Sequence, residues 1–370
     1  MKETRNIGLK YLQFLRYAVD AQGQEPDQLD DMDWQRLMAF AERQSVIGVV
    51  YDGIQRLRQR VRIPKLQLVR WVGNASQVEA RNILLNELCV EVCDAFRKEG
   101  FECCLLKGQG NALMYPKPLL RTSGDIDVWV RSVNKEVGKN HEVRNILHWV
   151  RKRNPQGKTE YHHIDYGMYK DVDVEVHYRP TFMNNLINNG RLQRWMNEHK
   201  EEQFSHWVSL PKGEGRICVP TWEFNVVFQL SHMYRHVLQS GLGFKNLIDF
   251  YFLLVKSEQM EARCLERDLR YLGLSQFASA VMWVLREVLG LEERYLLVPA
   301  DERRGRFLLK EVVSGGNFGK YNQRNAHQGG QIQANVNRLM RDVRLVRYFP
   351  SECIWEPIFR IWHFCWRVAH

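Results

Sequence analysis

The chain has 370 residues, a length that allows two or three domains, and its 45% hydrophobic and 26% charged residues are ordinary for a globular protein with a sizeable core. No run approaches the roughly 18–20 apolar residues that cross a bilayer, and no uninterrupted apolar stretch follows the first residues, so we expect neither a transmembrane segment nor a signal peptide. The net charge of +10 favours polyanionic partners such as nucleotides, RNA or an anionic membrane surface, although spread-out basic residues also suit a basic protein without such a partner.

Residues 1–95 are predicted to be helical. In the first clear segment, apolar residues recur at the spacing of one helix face: Trp34, Leu37, Met38 and Ala41. Asp31 or Asp33 can cap this helix at its start. Residues 47–57 and 75–98 continue in the same style, so the first part of the chain should be a helical region.

The pattern changes in the middle of the chain. Residues 101–107 form a short, mostly apolar run that predicts a strand, and residues 108–115 can form a short helix after it. Residues 125–130 and 172–178 alternate polar with aliphatic side chains, which predicts two half-buried strands whose polar edges face a cleft. The polar stretch 131–160 between them gives no assignment.

From residue 220 onward the chain is predicted to be helical again, with strong apolar periodicity over 222–238 and 246–255. Residues 314–330 are polar and rich in glycine, which predicts a loop. The whole plan is an α+β protein with a small mixed sheet. Its three predicted regions are an N-terminal helical region, a central core and a C-terminal helical domain: 1–95, 96–215 and 216–370.

The last stretch of the chain mixes arginines with Trp355, Trp362 and Trp366. A basic amphipathic helix can lie on a membrane surface. Such a segment more often packs its aromatic rings on the domain core, so we expect core packing and no peripheral membrane contact.

The eight cysteines include no Cys-x-x-Cys pair. The adjacent Cys103 and Cys104 would point to opposite faces of a strand and are a poor ligand set for a metal. We therefore expect buried thiols in a reducing environment, and a cytoplasmic protein.

Asp125 and Asp127 are the first residues that suggest chemistry. On a strand they project from the same face, so both carboxylates converge while Ile126 enters the core. Two hard oxygen ligands side by side suit Mg²⁺ or Mn²⁺. Alone, such a pair is common on exposed strand faces.

A further acid comes from the strand Asp173-Val-Glu175-Val-His177. A third carboxylate beside the first two would complete a two-metal cluster for displacement at phosphorus. We choose Glu175 as this acid and keep Asp173 as the alternative. His177 is a candidate for orienting the substrate or for a structural hydrogen bond.

The run Leu106-Lys107-Gly108-Gln109 ends a predicted strand and opens a helix. Backbone N–H groups at such a turn hold phosphate, and Lys107 adds positive charge. We therefore predict that Lys107, Gly108 and Gln109 bind a nucleotide, with Arg121 as a further phosphate contact or an exposed loop arginine.

In chain order these pieces resemble the uncharacterised nucleotidyltransferase family of the DNA polymerase β-like superfamily. The resemblance starts at about residue 30 and covers most of the chain. Its first blocks are Leu106-Lys107-Gly108, Tyr115-Pro116, Arg121, Asp125-Ile-Asp127 and Glu175-Val-His177. Its later blocks are Leu230-Ser-His232, His236, Gly241-Leu-Gly243, Asp249, Gly315-Gly-Asn-Phe-Gly319 and Tyr348-Phe-Pro350-Ser-Glu352.

The resemblance implies an enzyme that moves an NMP from an NTP such as ATP to an acceptor hydroxyl, with Mg²⁺ or Mn²⁺. It implies that Asp125 and Asp127 hold the metal ions and that Glu175 is the third acid. The acceptor is left open among a protein, a small molecule, a sugar and an RNA end.

Three features depart from the family pattern. Gln109 stands where the superfamily has Ser, and the interval from Gly108 to Asp125 is longer than usual. Lys245 follows Gly241-Leu-Gly243 where Arg is typical, and lysine keeps the charge without the bidentate fork, although it remains a candidate for orienting the substrate. The first two departures favour the alternative of a non-catalytic nucleotide- or RNA-binding module, whereas the three acids favour the enzyme.

His232 and His236 lie four residues apart on a predicted helix and share a face, a spacing that occurs in zinc sites. The sequence offers no obvious third ligand beyond the distant His162-His163 pair. A structural role is favoured first, a contact to the nucleotide or acceptor second, and zinc binding last.

Overall fold

A computed structural model describes residues 2–20, 22–27, 29–57, 61–133, 139–211, 215–257, 262–317 and 340–369. The elements of the first half are α1 (Lys2–Val19), α2 (Trp34–Gln44), α3 (Ile47–Arg56), α4 (Lys65–Lys98), β1 (Phe101–Leu105), α5 (Gln109–Ala112), a 3₁₀ turn (Pro118–Leu120), β2 (Ile126–Ser132), α6 (Lys139–Arg153), β3 (His163–Tyr169) and β4 (Val172–His177). Those of the second half are α7 (Leu186–Glu198), α8 (Lys200–Gln203), β5 (Trp207–Ser209), β6 (Arg216–Cys218), α9 (Trp222–Gln239), α10 (Phe244–Lys256), α11 (Ala262–Tyr271), α12 (Ser275–Leu289), a second 3₁₀ turn (Glu293–Tyr295), α13 (Glu302–Gly315), α14 (340–346) and α15 (Pro350–Ala369).

The predicted α+β class is confirmed, with helices on both sides of a small mixed sheet. Of the two capping candidates, Asp33 is the residue that caps α2, because its side chain accepts a hydrogen bond of 3.0 Å from the backbone N–H of Arg36. Most of the glycine-rich stretch predicted as a loop lies outside the described residues, and α13 ends at Gly315.

The four-stranded sheet has the order β1-β2-β4-β3, in which only β2 and β4 are parallel. Lys170 and Asp171, both with positive φ, form the two-residue turn that joins β3 to β4. Neither α6 nor β3 was predicted. The pattern of β3 is hard to recognise because it is an edge strand in which Ile164 is the one fully buried side chain.

The two faces of this sheet differ in chemistry. One face is aliphatic, with Val128, Val174 and Val176 buried in a core that also takes side chains from α4 and α6. The other face carries Asp127, Glu175 and the histidines of β3 and β4, and it lies towards α9. The period of two along each strand produces this division, since successive side chains point to opposite faces.

The helices of the N-terminal and C-terminal parts contribute to one large hydrophobic core. The apolar stripe of α9 lies in this core, with side chains such as Phe224 and Phe228 fully buried. In α15, Trp362 and Trp366 pack beside Tyr161 and Phe182, as the sequence suggested for the aromatic tail. None of the described helices combines the length and apolar character that a membrane span requires.

Candidate active site

Three carboxylates lie in one row across the polar face of the sheet. The Cα atoms of Asp127 and Glu175 are register partners on β2 and β4, and Glu175 is in turn the partner of Asp165 on β3. Asp125 comes one residue before β2, two positions from Asp127. The local sequence pattern thus brings acids from separate parts of the chain to one patch of the sheet.

Asp127 is almost completely buried and both of its oxygens have partners. The Nζ atom of Lys107 lies 2.9 Å from Oδ2, and Nε2 of His177 lies 3.0 Å from Oδ1. Burial raises the pKa of Asp127, but the Lys107 ammonium and the hydrogen bond from His177 outweigh burial and hold it far below its usual value. Burial lowers the pKa of Lys107, yet Asp127 and Asp125 raise it above its usual value overall. Both groups are therefore ionised at neutral pH.

Asp125 differs from Asp127 both in its contacts and in the direction of its pKa shift. No hydrogen bond or ion pair to its carboxylate occurs within the described part of the chain, although Lys107 and Lys245 are near enough to favour its charge. The negative charge of Asp127, followed by burial, raises the pKa of Asp125 above its usual value. Of these two neighbouring carboxylates, Asp127 is therefore compensated by protein groups, whereas Asp125 has no direct partner among the described residues.

Glu175 is the acid that faces the cluster from β4. Its Oε2 lies 3.5 Å from Nε2 of His177 and 3.8 Å from Nε2 of His163. Burial raises the pKa of Glu175, but the hydrogen bond from His177 reverses this, and the net pKa is below the usual value. Asp173, the alternative third acid, is exposed and its Cα partner is Met168 on the outer strand.

The turn after β1 is the predicted phosphate-binding element. Gly108 has φ of 55° and ψ of −116°, a backbone conformation that side-chain-bearing residues rarely adopt. A narrow cleft lies between this turn, Asp125 and Asp127. Gln109 is buried and donates hydrogen bonds to the backbone of Asn82, at 3.3 Å, and to the side chain of Asn86. Gln109, which stands where Ser was expected, therefore connects the turn to α4 by hydrogen bonds.

Arg121 takes part in a buried ion pair. Its Nε and Nη2 donate to the two oxygens of Asp249 on α10, each at 2.7 Å, and Nη1 donates to Ser123 at 2.8 Å. The hydroxyl of Tyr115 donates to the same carboxylate at 2.7 Å. Burial raises the pKa of Asp249, but Arg121 lowers it below the usual value. The guanidinium is thus fully engaged by the fold, and a phosphate contact from Arg121 stays a prediction.

Histidines of α9 line the opposite side of the site. Nε2 of His232 lies 3.4 Å from Nζ of Lys107 and 2.8 Å from Nε2 of His236, whose Nδ1 contacts Ser240 Oγ at 2.7 Å. Burial is the first cause that lowers the pKa of both imidazoles well below the usual value, so both are neutral at pH 7. Among the residues that the structure describes, no third ligand joins this pair in a metal-binding group.

Two further basic groups surround the acids. Lys245 follows the start of α10, and burial, then Arg121, lowers its pKa to about 8. Arg235, which sequence reasoning missed, contacts Nδ1 of His232 at 3.3 Å, and burial lowers its pKa to about 10 despite the nearby Glu175 and Asp127. Its position three residues after His232 was the available signal, since residues at that spacing share a helix face.

His163 and Asp165 were also missed as neighbours of Glu175. Their alternation around Ile164 places both on one face, but that inference depends on recognising β3 as a strand. His163 Nε2 lies 3.4 Å from Asp165 Oδ1. Burial is the main cause that lowers the pKa of His163 to about 4. The polar face of the sheet therefore brings His163, Asp165 and His177 together with Asp127 and Glu175 beside Asp125.

Comparison with known proteins gives one family. The family described as uncharacterised nucleotidyltransferase matches residues 30–290, which is more than half of the chain. A solved structure of an antigenic nucleotidyltransferase-like protein from Paracoccidioides brasiliensis aligns with 60% of this chain and 96% of its own, at 11% sequence identity and a TM-score of 0.32. No curated protein matches the chain.

Proposed function

Because the chain belongs to the uncharacterised nucleotidyltransferase family, we propose that it transfers an NMP group from an NTP to an acceptor hydroxyl, with a divalent metal ion, Mg²⁺ or Mn²⁺, held by Asp125, Asp127 and Glu175. The observation that carries this proposal is the meeting of these acids on one sheet face, where Asp125 has no ion-pair partner among the described residues. The nucleotide, the acceptor and a cytoplasmic location are part of the proposal.

The donor set fits a hard divalent ion. Carboxylate oxygens are the ligands that Mg²⁺ and Mn²⁺ prefer, and the pKa of Asp127 is low enough to keep it ionised at any physiological pH. When bound, the metal would neutralise charge on the phosphoryl oxygens and promote ionisation of the attacking hydroxyl. The Lys107 ammonium lies 2.9 Å from Oδ2 of Asp127 and compensates its negative charge.

The basic side chains around the acids suit a triphosphate. Lys107 and Lys245 both act on Asp125 electrostatically, and Arg235 acts on Glu175 and Asp127. A nucleotide with its metal would bring negative charge to the lysines and positive charge to the acids. In this proposal Lys107 leaves Asp127 and binds a phosphate, while the N–H groups of the Gly108 turn hold the same end of the nucleotide.

In this proposal the cluster at Glu175 takes the proton from the acceptor hydroxyl. In the proposed reaction Glu175 accepts the proton of the acceptor hydroxyl, and His177, whose Nε2 lies 3.0 Å from Asp127 Oδ1 and 3.5 Å from Glu175 Oε2, keeps the two carboxylates side by side. His232 and His236 position Lys107 rather than transfer the proton, because the contact of 3.4 Å joins His232 to the lysine.

One observation favours the second candidate function, a nucleotide- or RNA-binding module without turnover. Both oxygens of Asp127 are already satisfied by protein groups, so this carboxylate is stable without a metal. In the module, the basic groups bind the phosphates and the acids only balance charge. Both candidate functions predict nucleotide binding, and only the enzyme predicts transfer of an NMP group.

The test uses each NTP labelled at the α-phosphate, with Mg²⁺ or Mn²⁺ and a cell extract as the source of acceptors. We expect metal-dependent transfer of label by the unaltered chain and its loss in Asp125→Asn and in Glu175→Gln. Asp173→Asn is the matched control, since Asp173 is exposed on the same strand as Glu175.

Transfer by Glu175→Gln together with loss in Asp173→Asn would show that the third acid is Asp173. Transfer that Asp125→Asn leaves intact would overturn the metal site. Saturable nucleotide binding by the unaltered chain, without label transfer to any acceptor, would favour the binding module.

A further inference from the structure

We propose that His163, Glu175 and His177 form a second metal site, suited to a transition metal and to Zn²⁺ first, beside the oxygen-ligand site of Asp125 and Asp127. The ligand atoms of the three residues all lie within 4.8 Å of one another, on neighbouring strands β3 and β4. The site does not depend on nucleotidyl transfer, although it shares Glu175 with the proposed active site.

The two separations from Glu175 are close to those that a tetrahedral ion needs, and all three ligand atoms lie within 4.8 Å of one another. Metal–ligand bonds of about 2.0–2.2 Å place neighbouring ligands roughly 3.3–3.6 Å apart. Oε2 of Glu175 is 3.5 Å from Nε2 of His177 and 3.8 Å from Nε2 of His163. A small rotation of His163, the less buried of the two imidazoles, would bring its nitrogen into range.

Both imidazoles direct Nε2 towards more than one carboxylate. Nε2 of His177 faces Asp127 Oδ1 at 3.0 Å and Glu175 Oε2 at 3.5 Å, and Nε2 of His163 faces Asp165 Oδ1 at 3.4 Å. A single N–H cannot satisfy two carboxylate oxygens fully. Nε2 of His177 binds a metal only without its proton, so a cation at this point would replace the hydrogen bond to Asp127 Oδ1 and take Glu175 Oε2 as a ligand.

His162 supports the ring of His163 from behind. Nε2 of His162 lies 3.0 Å from Nδ1 of His163, so a proton on that Nδ1 leaves Nε2 free to bind a metal. This is the outer contact that metal-binding histidines usually make. His162 is itself buried, which fixes the orientation of both rings.

The donor set selects the class of metal. Imidazole nitrogen favours zinc and other first-row transition ions over Mg²⁺, which prefers oxygen ligands only. Three protein ligands leave a coordination position for water or substrate, as in catalytic zinc sites. The side chain of Glu175 is 33% exposed, so an ion can enter from solvent.

The experiment is equilibrium dialysis of the metal-stripped chain against Zn²⁺ alone, because Mg²⁺ at the proposed active site would occupy the shared Glu175. We expect about one tightly bound Zn²⁺ per chain. His163→Gln should weaken zinc binding by at least about tenfold, the lower end of the loss seen even when outer contacts to a metal ligand are removed. His148→Gln is the matched control, because His148 is exposed on α6.

Asp125→Asn separates the two proposals, since it should abolish NMP transfer and leave zinc binding unchanged. X-ray absorption of the zinc-loaded unaltered chain gives a measurement that needs no variant, and it should show two imidazole ligands. Failure of the unaltered chain to bind zinc, binding that His163→Gln does not weaken, or a spectrum without imidazole would each overturn the proposal.

Discussion

Two buried groups of charges, one containing Arg121 and the other Asp125, are built on opposite principles. Arg121 and Asp249 form a two-fold hydrogen-bonded pair in which both carboxylate oxygens accept from the same guanidinium. At the neighbouring sheet face, Lys107 compensates Asp127, whereas Asp125 has no hydrogen bond or ion pair among the described residues. The first group is neutral and complete, which is typical of a structural pair. The second leaves one buried carboxylate without a direct partner, which is more typical of a functional site.

The largest expected effect is on transfer activity. Asp125→Asn should lower the rate of NMP transfer by about a hundredfold to a thousandfold, the range for removing a group that stabilises developing charge. The same change should leave the free energy of unfolding equal or higher, because the raised pKa of Asp125 shows that its charge is unfavourable in the folded chain. Steady-state kinetics and urea unfolding measure the two quantities. A large loss of stability would place Asp125 with the structural pair.

Changes in the pair of Arg121 and Asp249 should have the opposite effect, a loss of stability. Arg121→Met leaves Asp249 buried without its counter-charge and should lower the free energy of unfolding by about 3–5 kcal/mol. The double change Arg121→Met with Asp249→Leu should recover part of that loss, because the uncompensated charge of Asp249 is removed while the Tyr115 hydroxyl loses its acceptor. Urea unfolding of the two single variants and the double variant tests this. A cost below about 1 kcal/mol for Arg121→Met would contradict the assignment.

Glu352 provides a third kind of buried carboxylate, which accepts backbone N–H groups of Asn184 and Asn185. Burial raises its pKa to about 7, whereas an unfolded glutamate titrates near 4.5. The folded chain therefore holds the extra proton between these values. Its contribution to stability is complete below about pH 4.5 and is lost as the pH rises to about 7, by roughly 3 kcal/mol.

Glu352→Gln should remove this dependence on pH. The quantity to measure is the difference in unfolding free energy between the unaltered chain and Glu352→Gln across pH 4 to 8. Because other groups titrate equally in both proteins, a constant difference would show that the pKa of Glu352 is not raised.

Lys107→Met sharpens the comparison at the sheet face. Loss of the ammonium should destabilise the chain by about 1.5–3 kcal/mol, the usual contribution of a hydrogen bond to a charged group. Mg²⁺ or Mn²⁺ should restore much of that loss, since the freed carboxylates then hold the metal. Thermal unfolding with and without the ion measures both the loss of stability and its recovery. The matched control is Lys117→Met, because the ion pair of Lys117 with Asp52 is half exposed. We expect this variant neither to lose stability nor to gain stability from the added ion.

Much of this architecture followed from local pattern. The period of two in Val172, Val174 and Val176 predicted β4 and its buried face, and the helical periods predicted α2, α3, α9 and α10. The roles assigned to Asp125, Asp127 and Glu175 stay predictions. Their shared sheet face follows from the pairing of β2 with β4.

What the sequence did not reveal depends on contacts between distant segments. Nothing near Arg121 indicates that Asp249 will bind it, since the two lie far apart in the chain and meet only when α10 packs. The pairing of Lys107 with Asp127 was hidden for the same reason. The edge strand β3 has too little buried surface to show a strand pattern, so the place of His163 beside Glu175 was missed.

The bidentate pair of Arg121 and Asp249 has a consequence for how related sequences diverge. A replacement at one position alone leaves a buried charge, so selection should remove it, whereas a simultaneous replacement of both by apolar residues can persist. We therefore expect the two positions to co-vary among homologues. Asp127 has no such freedom, because one carboxylate serves Lys107, His177 and the proposed metal together, and no single compensating change can satisfy all three.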